Sequence, residues 1–77
     1  MRLTIDREAD ALLLILREGP WKKTERAAKF VNIELGDNDE VMAVEVLNLS
    51  GQAGRPVLDH LDFHFSPELE PVEVSAE

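Results

Sequence analysis

The chain has 77 residues, no cysteine, 44% hydrophobic and 31% charged residues, and a formal net charge of −8. A chain of this length makes one small domain that buries only about 60–65% of its unfolded surface, and without cysteine it lacks disulfides and thiolate metal centres as braces. A strongly acidic body repels nucleic acid duplexes and anionic bilayers, so neither is an expected partner.

In chain order, Leu3 and Ile5 alternate with Arg2, Thr4 and Asp6, the period of a strand with one dry face. Asp6-Arg7-Glu8-Ala9-Asp10 reads as a turn in which Asp6 and Asp10 are structural and tie down backbone N–H groups. Ala11 to Leu16 is an unbroken apolar run of six residues. It is far short of the roughly 20 that span a bilayer. Gly19-Pro20 closes it, so a hairpin with the first strand is the better reading than a helix. Leu12, Leu14 and Leu16 point one way, and Leu13 and Ile15 the other. Both faces of this strand call for cover, and a homodimer burying the Leu13 and Ile15 face would supply it.

Trp21 to Lys29 is polar and basic and reads as a connection, with room for a turn of helix at Glu25-Arg26-Ala27-Ala28. Val31, Ile33 and Leu35 alternate with polar neighbours as a third strand, and Gly36-Asp37-Asn38-Asp39-Glu40 is a hairpin turn signal. Val41 to Leu49 is the fourth strand, interrupted only by Glu45 and Asn48. Ser50-Gly51-Gln52-Ala53-Gly54 reads as a flexible break. Pro56 suits the first turn of a helix reaching Leu61 or Phe65, although Leu61, Phe63 and Phe65 also alternate as a strand would. The expectation is therefore an α+β fold: a four-stranded antiparallel β-meander with a short C-terminal helix, dimeric. Residues 1–66 form the domain, and residues 67–77 an acidic extended tail that could pair at an edge through Val72 and Val74.

Charge is unevenly spread. Residues 1–29 carry seven Lys/Arg against five acids, and residues 30–77 carry one against eleven, giving +2 and −10. The acidic half favours a basic protein surface, although solubility alone also explains such a charge. The first residues lack the apolar core of a signal peptide, so a cytoplasmic protein is expected.

Chemistry-bearing clusters are sparse. Asp6, Glu8 and Asp10 would share a face if extended, which a hard cation accepts, but no complete ligand set surrounds them. Asp59, His60 and His64 form the candidate metal site, because histidines four apart on a helix lie on one face, as zinc uses them. The glutamate of a zinc peptidase motif is absent (residue 61 is leucine), and two histidines beside aspartates also read as a pH-sensitive tail. Trp21 among Lys22, Lys23, Arg26 and Lys29 could stack on single strands, but a Trp packed over a sheet edge is commoner. No nucleophile or phosphate loop stands out, so catalysis and a resident cofactor are not expected.

Together, Asp6-Arg7-Glu8-Ala9-Asp10-Ala11, the apolar strand after it, Thr24, the Val31–Leu35 strand and Val44-Glu45-Val46-Leu47-Asn48-Leu49-Ser50 resemble a family of small bacterial and archaeal domains, Domain of Unknown Function 2283, over roughly residues 2–50. The chain departs from it at Ile5 and at Leu13 or Leu14, where members carry aromatics, and at Asp39-Glu40, where they carry a glycine. The resemblance implies the fold and no catalytic residues. The occurrence of some members beside toxin-like genes implies an antitoxin-like or partner-binding role. The first reading is thus a non-catalytic interaction module binding a basic protein. The alternative is a small metal- or ligand-binding protein using Asp59–His64.

Overall fold

A computed structural model describes residues 1–54 and 73–76. They form six strands and one helix: β1 (Arg2–Asp6), β2 (Ala11–Ile15), β3 (Lys23–Ala28), β4 (Val31–Leu35), β5 (Val41–Val46), α1 (Leu49–Ala53) and β6 (Glu73–Ala76). The strands make one mixed sheet in the order β3-β4-β5-β2-β1-β6, in which only the β1–β6 pair is parallel. No helix among the described residues is long and apolar enough to cross a membrane.

The first hairpin follows the alternation of its residues. Leu3 lies opposite Leu14 and Ile5 opposite Leu12, closed by a turn in which Asp10 adopts φ 54°. Aspartate tolerates this left-handed conformation better than most residues because its short side chain bonds locally. Here the Asp6 carboxylate accepts the Ala9 N–H at 3.0 Å.

The four-stranded meander order is corrected. The expected neighbour of β2 was the Val31–Leu35 strand; instead β5 pairs with β2 and separates it from β4. The cause is β3. Lys23–Ala28, expected as a connection with a helical turn, is a strand whose six residues are all exposed. Its backbone satisfies one edge of β4, and β5 satisfies the other, so β4 has no edge left for β2. Pairing with a neighbour outweighs the weak helical preference of Glu25-Arg26-Ala27-Ala28. The two most apolar strands, β2 and β5, thus meet in the middle, with Leu12 opposite Val46 and Leu14 opposite Val44.

A second correction concerns residues 47–54. The fourth strand stops at Val46, and the segment read as a flexible break is helix α1. Leu47 donates its N–H to the Phe30 carbonyl, Asn48 turns the chain at φ 52°, and Gly54 ends the helix at φ 73°. The helix expected over 56–65 lies outside the described residues. Within the segment expected to be an extended tail, Glu73–Ala76 pairs with β1; Val72 lies outside the described residues.

The register sorts side chains cleanly. One face carries the rows Leu3, Leu14, Val44, Ile33 and Ile5, Leu12, Val46, Val31. This is the apolar face, where Leu3, Ile5, Leu35 and Met42 are buried. The opposite face carries Thr4, Leu13, Glu45, Asn32, Arg26 in one row and Arg2, Ile15, Ala43, Glu34, Thr24 in the next.

Candidate functional site

The mixed face positions the polar groups. Its centre is apolar apart from Glu45, because β2 and β5 place Ala11, Leu13, Ile15 and Ala43 there, and its flanks are polar because β1 and β4 alternate. Ala11 and Ala43 are buried, while Leu13 and Ile15 are half-buried.

Toward one end of this face a cleft of about 170 Å³ is lined by Thr4, Asp6, Ala9, Ala11, Leu13, Glu45 and Leu47. Its floor is alanine and leucine, and it carries two carboxylates. Asp6 accepts from the Ala9 N–H at 3.0 Å, and Glu45 from the Asn32 Nδ2–H at 3.3 Å. A carboxylate offers about four acceptor positions, so both keep capacity for a further donor. An apolar floor with spare anionic acceptors complements a lysine or arginine side chain, whose alkyl stem packs while its head is paired.

A larger cleft of about 260 Å³ lies between Met1, Arg2, Glu18 and Glu73. There Arg2 and Glu18 already form an ion pair, so much of its charge is matched within the chain.

Elsewhere on the mixed face Glu34 is buried and accepts a hydrogen bond from the Thr24 hydroxyl at 2.5 Å. Among the described residues no buried side-chain nitrogen or oxygen lacks a partner.

Asp10 does something its sequence position does not announce. Its carboxylate accepts the Ser50 N–H at 3.0 and 3.2 Å and the Ser50 hydroxyl at 2.8 Å, and its carbonyl accepts the Leu49 N–H at 3.0 Å. The N-cap residue of α1, Asn48, makes no side-chain cap. A residue 40 positions earlier therefore satisfies two of the orphan N–H donors of the helix, those of Leu49 and Ser50. Asp6, Glu8 and Asp10 do not converge: Asp6 bonds within the turn, Asp10 reaches α1, and Glu8 is exposed.

Among the described residues no group of three or more His, Cys, Asp or Glu is arranged to hold a metal. Asp59, His60 and His64 lie outside the described residues. In the basic segment Lys22 pairs with Asp37 at 3.5 Å and Lys23 with Asp39 at 3.0 Å, while Lys29 sits 5.3 Å from the Phe30 ring centroid. Part of the charge asymmetry is therefore cancelled inside the molecule, where β3 borders the 37–40 turn. Asp39 and the exposed Lys23 are bonded directly, and the carboxylate raises the Lys23 pKa above its ordinary 10.5.

The cleft had one visible signal in the sequence, Glu45 in an otherwise apolar strand. The Asp10–Ser50 contact had none in spacing or periodicity. The family described as Protein of unknown function (DUF2283) matches residues 2–50, a span that opens at β1 and closes on the serine held by Asp10. No curated protein and no solved structure matches the chain.

Proposed function

We propose, for a chain that belongs to the DUF2283 family and takes no described activity from it, that it acts as a non-catalytic interaction module for a basic protein. In an antitoxin-like setting that partner would be the protein it neutralises. The observation that supports this reading is the cleft between Thr4, Asp6, Ala11, Leu13, Glu45 and Leu47, apolar in floor and carrying two carboxylates with spare acceptor capacity. A lysine or arginine of the partner inserts there, its stem against Leu13 and Leu47 and its head between Asp6 and Glu45.

The energetics are those of a charge-assisted contact. Each hydrogen bond to a charged group contributes about 1.5–3 kcal/mol, so loss of one weakens association by about tenfold to a hundredfold. Because the cleft is open to solvent, salt screens the attraction, with a Debye length of about 10 Å at 0.1 M and about 3 Å at 1 M.

The test is native mass spectrometry of the untagged protein purified gently from its own cells, beside a variant carrying Asp6→Asn and Glu45→Gln. A basic polypeptide bound to the parent, released by salt and missing from the variant, is the expected result. A partner retained equally by both proteins, or none in either, refutes the assignment of the cleft.

A further inference from the structure

The strand at the β1 edge, β6, is four residues long and lies exposed at the rim of the sheet. Glu73–Ala76 pair in parallel with Arg2–Ile5, and a parallel ladder is slightly less stable per residue than an antiparallel one. Glu73, Val74 and Ser75 are exposed, with Val74 at 46%. The side-chain bond from the Ser75 hydroxyl to Thr4 Oγ1 is long at 3.4 Å, and the Glu73 N–H reaches the Met1 carbonyl at 3.2 Å. β6 also lies beyond the family match, which ends at residue 50.

The strand it covers is the opposite. β1 is locked against β2 through five consecutive pairs, and Leu3 and Ile5 are each 5% exposed. Without β6, a rigid row of N–H and C=O groups would face outward, which is a template for any strand of suitable sequence. The register states what suits it: an acidic residue at the Arg2 level, an apolar one beside Leu3 and a hydroxyl beside Thr4.

We infer that the outer edge of β1 is a strand-docking site, and that residues 73–76 of a second copy of this chain occupy it by exchange. Every contact made within one chain is available between two, because the same four residues meet the same edge. The 18 positions between Gly54 and Glu73 span at most about 60 Å when extended, enough to serve either edge. A tethered strand competes at an effective concentration on the order of millimolar. Exchange therefore rises steeply as copies approach that concentration or are gathered by a partner. This edge adjoins the acidic cleft at Thr4, which lines the one and pairs in the other, but the backbone pairing does not depend on the cleft's role.

The chain has no cysteine, so disulfide trapping reads the pairing directly. Thr4 and Ser75 lie directly opposite in the register, within the separation a disulfide spans. The double variant Thr4→Cys with Ser75→Cys should close within one chain at micromolar concentration. Single variants Thr4→Cys and Ser75→Cys, one of them isotopically labelled, are then mixed and oxidised from micromolar to millimolar. A mixed-mass dimer several-fold above that from Thr4→Cys mixed with the exposed-turn variant Asn38→Cys, and growing with concentration, is the expected result. Failure of the double variant to close overturns the docking site itself. A mixed dimer no more abundant than the Asn38→Cys control overturns exchange.

Discussion

Replacing Asp10 tests the contact that joins the first turn to α1. The carboxylate serves two donors, the Ser50 N–H and the Ser50 hydroxyl. Hydrogen bonds to charged groups contribute about 1.5–3 kcal/mol when desolvated, but this site is half-buried, so roughly 1 kcal/mol each is the better figure after screening. Asp10 also sits at φ 54°, where an alanine costs about 1 kcal/mol more than aspartate does. Asp10→Ala should therefore destabilise by about 2–3 kcal/mol, a large part of the roughly 4–12 kcal/mol expected for 77 residues.

Three companions separate the contributions. Asp10→Asn keeps the backbone preference and one acceptor and should cost about 1 kcal/mol. Asp10→Gly loses both bonds but adopts the left-handed conformation freely, so it should fall between Asn and Ala. Ser50→Ala should cost about 1 kcal/mol and be nearly silent in the Asp10→Ala background, since the two share that bond. Urea unfolding followed by far-ultraviolet circular dichroism measures all four, and Asp10→Ala should lower Tm by roughly 10–20 °C. If Asp10→Ala lies within about 0.5 kcal/mol of the parent, or Asp10→Gly is worse than Asp10→Ala, the reasoning is refuted.

Other expectations follow from single contacts. Leu3→Ala, at a site 5% exposed, should cost about 2–5 kcal/mol in the same assay. Leu13→Ala, on the half-buried mixed face, should cost measurably less, and equal costs would contradict the assignment of faces. Thr24→Val removes the hydroxyl donor of buried Glu34 and should cost about 1–3 kcal/mol, checked by the urea midpoint. The hydrogen bond and charge of Asp39, with a smaller contribution from Glu25, raise the Lys23 pKa. A raised amine pKa gives stability that is complete below the ordinary 10.5 and lost as pH climbs through the higher folded value. Asp39→Asn should return the Lys23 resonance, followed by NMR titration, toward 10.5. An unchanged titration would dismiss the contact.

Strong local patterns were legible in the sequence and pairings between distant segments were not. The alternation in Leu3–Ile5 and Val31–Leu35 marks strands because one face of each is apolar, and the nearly unbroken apolar run from Val41 marks a central one, although the strand ends at Val46 rather than Leu49. The Gly36–Glu40 turn carries its own chemistry, including Asp39 at φ 60°. β3 was missed because all its residues are exposed, so no hydrophobic period exists to detect, and its strand character comes from the open edge of β4. The meander failed for the same reason, since the neighbour of β2 depends on whether β4 is already paired. The helix at Leu49–Ala53 was hidden behind Gly51 and Gly54, and its N-terminus is satisfied by a residue from another turn. The acidic cleft was half visible: Glu45 stood out, but its proximity to Asp6 depends on β5 lying beside the first hairpin.

The β2–β5 seam has a consequence for synthesis. Leu12 waits for Val46, 34 positions later, to complete the middle of the sheet. Chains are made at about 5–20 residues per second, so the 30 residues from Leu16 to Val46 separate the two strands by roughly 1.5–6 s of synthesis. Until β5 arrives, the β1–β2 hairpin presents Leu12, Leu13, Leu14 and Ile15 with one edge unpaired. A two-stranded hairpin is marginal in water, and an open apolar edge invites association between chains on the same message.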